Sequence, residues 1–430
     1  MTVHTLPAFP IDQVRSRFPA LSKLENPPVY FDNPAGTLVP QQVIDAVADA
    51  MATATHNLGG FFDGSKRAER LWLDGHQAMA DMLGAASHRE IVIAQSMTAL
   101  TLHLSRSIGR LFKPGDEIIL TQMDHEGNVS PWLLLARDLG LTVKWLPFNR
   151  KSWRIEPADL EPLLSERTKL LALNASSNMT GSVNDVAALA ALAKKAGALI
   201  YVDAVQLVPH RLPDVEALGC DVLVCSSYKF FGPHLGVLWG REELLAMLEP
   251  YKVRCATEEL PGRFEAGTPQ TELLAGLAAT ASYLEWLGEA TGHAGSRRRK
   301  IEGAYRSFAA YEDVLTSRLI EGLLALPGVT VQGITDPAAL RHRVPTVSFT
   351  YAGISTHAIA EGLAKRGIWA WSGHNYALEP SRLLELDESE GVVRLGLAHY
   401  NTMDEVERTL AALSELVGGE LVGRDAAVLA

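Results

Sequence analysis

Between about residues 85 and 240 the chain alternates short apolar runs with longer amphipathic stretches. Seven runs read as strands: Glu90–Ala94, Asp116–Leu120, Leu141–Trp145, Leu170–Leu173, Ala198–Val202, Asp221–Val224 and Leu235–Trp239. Several are apolar throughout, as strands buried on both faces of a mainly parallel sheet must be. The clearest helix between them is Asp185–Ala196. Ser182 and Asn184 stand where they can cap it, and Gly197 ends it. Strand, helix and strand in this rhythm predict an α/β layer fold.

The pattern changes after residue 270. Helical periodicity covers 271–288 and 297–326, followed by strand candidates Val329–Gln332, Pro345–Tyr351, Gly367–Trp371 and Val392–Gly396. A last helix opens at Thr402 with Glu405 three residues on, a capping-box signature. The expected division is an N-terminal segment (1–30) packing on the small domain, a large domain (31–285) and a smaller α+β domain (286–430). The basic run Arg297–Lys300 reads as a solvated face near that boundary.

Composition narrows the function classes. A net charge of −11 argues against nucleic acid or an anionic membrane as partner. Three cysteines without metal-ligand spacing argue against a disulfide framework or a metal centre and for a reducing compartment. The N-terminus lacks a signal-peptide pattern and no apolar run spans a membrane, so a cytoplasmic location is expected.

The candidate chemistry sits at strand ends. Strand 198–202 delivers Asp203, followed by Gln206 and His210; strand 221–224 delivers Ser226, Tyr228 and Lys229. Carboxyl ends of parallel strands line the ligand crevice, so Asp203 and Lys229 should share a pocket. A lysine amine can hold an aldehyde cofactor as an imine, and a carboxylate can keep a pyridine nitrogen protonated. The turn Gln95–Thr98 before a helix offers backbone N–H groups to a phosphate.

With these residues in place, the chain resembles the class V aminotransferase superfamily, in its cysteine desulfurase and selenocysteine lyase branch. The resemblance runs from FPIDQVRSRFP (9–19) through YFDNPAG, MDHEGNVSPW, ASSNMTGSV, VDAVQLVPH, SSYKFFGP and RFEAGTP to VRLGLAHYNT (393–402). It implies a PLP-dependent transferase of fold type I, with a mainly parallel seven-stranded sheet and pyridoxal 5′-phosphate as cofactor. Lys229 would be the Schiff-base lysine and Asp203 the pyridinium partner. Gln206 and Asn178 would contact the ring hydroxyl and its surroundings. Ser96, Met97 and Ser226 would bind phosphate, and Thr268 would reach the phosphate of a second subunit in a homodimer; Tyr228 departs from the histidine that desulfurases often carry before the lysine, though its hydroxyl can still bind phosphate. Arg394 would clamp the substrate α-carboxylate.

The departures bear on the reaction. Desulfurases of this branch carry a nucleophilic cysteine in the loop that here reads WSGHNYALE, and Tyr376 takes its place. A phenol cannot accept sulfur as a thiolate does. Ungapped alignment of MDHEGN puts Glu126 where the branch has a histidine over the cofactor ring, with His125 one position earlier. Glu126 and Tyr376 therefore join Lys229 as catalytic candidates, and Asn33, His374 and Asn375 join Arg394 as substrate-binding candidates. The expected reaction starts from a small α-amino acid held as an external aldimine. It loses a β-substituent (sulfinate, selenium or carboxylate) to an enamine, with carbon–carbon bond formation to an aldehyde as one outcome. An aminotransferase or epimerase with a keto-acid co-substrate, a desulfurase with a non-standard sulfur acceptor and a non-catalytic scaffold are the rival readings.

Overall fold

The computed structural model describes residues 5–420. The seven apolar runs are strands of one sheet, each within one or two residues of its expected place: β1 (Ile91–Ala94), β2 (Glu117–Thr121), β3 (Thr142–Leu146), β4 (Thr168–Asn174), β5 (Leu199–Asp203), β6 (Val222–Ser226) and β7 (Gly236–Gly240). They lie in the order β1-β7-β6-β5-β4-β2-β3. Strand β7 runs antiparallel to both of its neighbours, and the other pairings are parallel. Strand β1 therefore points the same way as β6, and the carboxyl ends of six strands meet along one edge.

Both faces of this sheet are covered, which is why the strands read as unbroken apolar runs. Successive side chains leave a strand on opposite faces. Leu171, Leu173, Ile200, Val202 and Leu223 pack on one side with Val186 and Leu189. Leu170, Ala172, Tyr201, Val222 and Val224 pack on the other with Leu100, Leu104 and Trp132. The helix over 185–196 spans Val186–Lys195, and its cap is Asp185, whose carboxylate accepts from the Ala188 N–H at 3.1 Å. Asn184, expected as a cap, instead bridges Asn174 and the Ile155 N–H.

A second, antiparallel sheet follows: β8 (Val329–Gln332), β9 (Thr346–Tyr351), β10 (Trp371–Gly373) and β11 (Val392–Gly396), in the order β10-β11-β9-β8. Its core includes Val347, Phe349, Val393 and Leu395 under helices Arg297–Leu324, Thr356–Ala364 and Met403–Glu415. The last helix carries the capping box of Thr402 and Glu405. The run 367–371, expected as one strand, divides at Ala370. Ile368–Trp369 pairs with Val29–Tyr30, and β10 pairs with β11. The N-terminal segment thus joins the small sheet's surroundings, and Arg15 adds bonds to the Tyr400 carbonyl and to Glu405. The basic run opens helix Arg297–Leu324. It is paired with acids: Arg297 with Asp81, Arg298 with Glu302 and Lys300 with Glu285 and Glu289.

Candidate active site

The strand ends deliver their side chains to one pocket. Its walls include Ser96, Met97, His125, Asn178, Asp203, Gln206, Ser226, Tyr228 and Lys229. Ser96 follows β1 and caps helix Met97–Gly109, accepting from the Ala99 N–H at 3.1 Å. The remaining free N–H groups of that first turn face the pocket, a natural seat for phosphate. Gly236 on β7 permits this approach: a Cβ there would lie 2.4 Å from the Met97 nitrogen and 2.2 Å from the Ser96 carbonyl carbon.

Asp203 ends β5, almost fully buried, and accepts from the Val205 N–H at 2.8 Å. Burial pushes its carboxyl up to about 6, against the pull of that N–H and of Lys229. A carboxylate at this depth calls for a buried cation. Lys229 is buried in the turn after β6, and its ammonium donates to the Pro34 carbonyl. Burial first, then Arg394, pushes its pKa down to about 7, with Asp203 and Asp32 opposing. Near neutral pH much of the amine is thus uncharged and nucleophilic.

The second sheet reaches this pocket through residues bonded to its walls. Arg394, on β11, is buried and donates to the Asn178 carbonyl at 3.1 Å, while its Nε has no partner. Gln206 donates to Thr346 Oγ1 at 2.9 Å, and its carbonyl oxygen is buried and unpaired. Asn178 Oδ1 and Ser176 Oγ are likewise buried without partners. Buried polar atoms left open beside a lysine, an aspartate and a helix N-terminus match the donor and acceptor needs of a pyridoxal phosphate ring and its phosphate.

Several sequence candidates stand elsewhere. Glu126 accepts from Ser130 Oγ and is not among the pocket walls; His125 is. His125 caps the turn Glu126–Asn128, and of the two neighbouring residues it is the one that lines the pocket. Burial, then Lys229 and Arg394, pushes its pKa down to about 3, so the ring is neutral at physiological pH. Its Nδ1 accepts from the Gly127 N–H at 2.8 Å, which leaves the ring proton on Nε2. Asn33 is no substrate contact: its amide is consumed by the Tyr30 and Gly396 carbonyls, Asn401 and Tyr400. Thr268 is exposed and lines a neighbouring cavity with Gln95, away from the Lys229 pocket of its own chain.

The loop 373–377 is held down by main-chain atoms. The Glu126 N–H donates to the Tyr376 carbonyl at 2.8 Å, and Asn178 Nδ2 donates to the Asn375 carbonyl at 2.8 Å. Asn375 and Tyr376 both take left-handed backbone angles, φ 54° and 57°. That conformation is costly for residues with side chains and collects at functional sites. The Asn375 amide nitrogen turns back to the Gly373 carbonyl and leaves its Oδ1 buried without a partner, and His374 Nδ1 accepts from the Tyr376 N–H. The Tyr376 ring stacks on His125, centroids 5.4 Å apart and planes 28° apart. Of the cysteines, Cys220 and Cys225 are buried in the large-domain core and Cys255 is exposed. None lines the Lys229 pocket. The residue that sequence reading missed is Asp32, whose Oδ1 lies 3.8 Å from the Arg394 guanidinium. Its place in YFDNPAG, ahead of the Pro34 carbonyl that meets Lys229, is the signal that could have found it.

The Aminotransferase class-V family model matches residues 29–409. This chain belongs to the class V aminotransferase family. A class V enzyme is PLP-dependent, and the pocket just described is built for that cofactor. Among its relatives, a cysteine desulfurase of Pectobacterium atrosepticum is 32% identical over 95% of this chain and 98% of the relative. The aminotransferase-like protein FGM3 of Gibberella zeae is also 32% identical, over 94% of this chain and 98% of its own length. An apo cysteine desulfurase from Thermococcus onnurineus NA1 superposes with a TM-score of 0.85 at 30% identity, covering 97% of this chain and 100% of that one. The Escherichia coli cysteine desulfurase CsdA gives 0.82 at 26% identity, covering 96% and 99%. This class V chain thus has the fold type I architecture of its desulfurase neighbours.

Proposed function

We propose that this class V enzyme acts on a small α-amino acid and releases a β-substituent without passing it to a thiol of its own. The observation that carries the reading is the Lys229 pocket, which has an amine and a buried carboxylate on its walls, Arg394 bonded to its Asn178, and no cysteine among them. When bound, pyridoxal phosphate supplies an electron sink beside the substrate Cα. Lys229 would anchor it and then move the Cα proton, Asp203 would face the ring nitrogen, Gln206 and Asn178 would fix the ring, and the Tyr228 hydroxyl would reach the phosphate. Ser96, Met97 and Ser226 would hold the phosphate. Arg394 would hold the substrate carboxylate in a bidentate grip. Sulfinate or carboxylate can leave without an acceptor, which suits Tyr376 at the loop. Capture of the resulting carbon nucleophile by an aldehyde is the further outcome this chemistry allows. Exposed Thr268 supports a homodimer in which it meets the phosphate of the partner.

The desulfurase names of the relatives favour one rival, cysteine as substrate with an external sulfur acceptor. A substrate panel separates the two. Cysteine sulfinate or aspartate should be turned over faster than cysteine, with sulfite or carbon dioxide released. Sulfide release from cysteine that outpaces both, in a variant lacking all three cysteines, would reverse the order. Lys229→Ala should lose the visible absorption of the lysine-bound cofactor, and borohydride should no longer fix the cofactor to the chain.

A further inference from the structure

Arg394 has more donors than the pocket uses. One guanidinium nitrogen donates to the Asn178 carbonyl, and Nε has no partner. Asp32 faces the other terminal nitrogen at 3.8 Å, beyond hydrogen-bond length. Its Oδ1 is buried and accepts no hydrogen bond. An ionised carboxylate left this bare is costly unless a cation or a proton compensates it. A bound substrate carboxylate would put a second anion on the same guanidinium, beside the first. Two close carboxylates cannot both stay ionised cheaply, and one of them takes a proton.

Taking Arg394 as the carboxylate clamp proposed above, we propose that Asp32 is its resident counter-charge and is protonated as the substrate carboxylate takes over the guanidinium. An amino acid arrives as a zwitterion, and its nitrogen must lose a proton before it can attack. In this step an N–H bond of the α-ammonium breaks and an O–H bond forms on Asp32. The substrate becomes an aminocarboxylate, Asp32 a neutral acid, and no proton is exchanged with solvent. The surroundings suit the transfer. Burial already pushes the Asp32 carboxyl up, and Arg394 and Lys229 hold it back. Asp203 acts on the cluster through Lys229, and the other titratable groups that face it are Tyr30, Tyr228 and His125. The two phenols are pushed up by burial and His125 is pushed down, so all three are uncharged at neutral pH.

Propionate tests this directly, because it has the carboxylate and no amine and cannot react with the cofactor. Calorimetric titration of the holoenzyme with propionate, in two buffers of different ionisation enthalpy, counts the protons taken up. The wild type should take up close to one proton per propionate, and its affinity should fall about tenfold per pH unit above the Asp32 range. Asp32→Asn should bind propionate at least tenfold more tightly at pH 8, with no proton uptake and a flat pH profile. Asp32→Ser guards against a folding defect and should lose the uptake too. Arg394→Gln should abolish binding in either background. An unchanged proton count in Asp32→Asn and Asp32→Ser, with binding still lost in Arg394→Gln, overturns this proposal alone. Propionate binding that survives Arg394→Gln overturns the clamp and this proposal with it.

Discussion

At the residue scale, the site depends on charged groups placed deeper than their chemistry favours. Lys229 is the clearest case. Its folded pKa of about 7 lies below the ordinary lysine value of 10.5. The unfolded chain therefore binds more protons between those values, so the penalty is full below about pH 7 and fades as pH rises toward 10.5. In the protein without cofactor, Lys229→Met should raise the urea midpoint most at pH 7 and progressively less toward pH 10. A variant whose advantage is flat across that range would contradict the burial argument. The cysteines give a second prediction. Cys255→Ser should leave kcat and KM unchanged, measured on whichever substrate the panel selects, since the side chain is exposed and off the pocket walls. The same scale shows what a sequence can and cannot disclose. Lys229, Asp203, Gln206, Asn178 and Arg394 were legible because strand ends and motifs specify them, and they do share one pocket or its rim. Glu126 and Asn33 were misplaced because direction within a turn depends on hydrogen bonds to distant residues, the Tyr376 carbonyl for one and Gly396 and Tyr400 for the other. Asp32 went unnoticed because its meaning is a distance to a residue more than 300 positions away.

At the element scale, the phosphate seat is a joint product of one helix and one strand. Helix Met97–Gly109 brings its amino end to the pocket only because Gly236 leaves room for the Ser96–Met97 backbone. A methyl group there meets main chain, which cannot swing aside as a side chain can. Gly236→Ala should weaken pyridoxal phosphate binding at least tenfold, read by the cofactor off-rate. Ser96→Ala should cost about 1 kcal/mol of stability through the lost cap. Thr402→Ala removes the equivalent cap of helix Met403–Glu415 and should cost a similar about 1 kcal/mol. Because that helix is remote from the pocket, the cofactor off-rate should not change. Strand positions were legible from the apolar runs, whereas the break at Ala370 was not. The run 367–371 carries one continuous β-like pattern, and what divides it is the presence of two different partner strands.

At the scale of the whole molecule, the pocket is a seam. Asp203, Lys229 and the helix end come from the large sheet, Arg394 and Thr346 from the small one, and Asp32 from an N-terminal stretch that touches Gly396 of one and Lys229 of the other. Substrate binding should therefore register as coupling between the two sheets. A non-reactive carboxylate should slow amide exchange in β9 and β11 along with the loop 373–377, and a response confined to the large sheet would count against the seam. The exposed Thr268 makes a separate demand. Sedimentation should give twice the mass of one chain, and Thr268→Ala should loosen the cofactor without changing that mass.

The hold on residues 373–377 has a consequence for how such enzymes diversify. Both bonds that pin the loop end on main-chain carbonyls, those of Asn375 and Tyr376. The Tyr376 side chain takes no part in them and is 66% exposed. The loop is thus a tool-holder with an interchangeable bit. A phenol can be exchanged for a thiol at position 376 while both bonds stay in place, with the stacking on His125 given up.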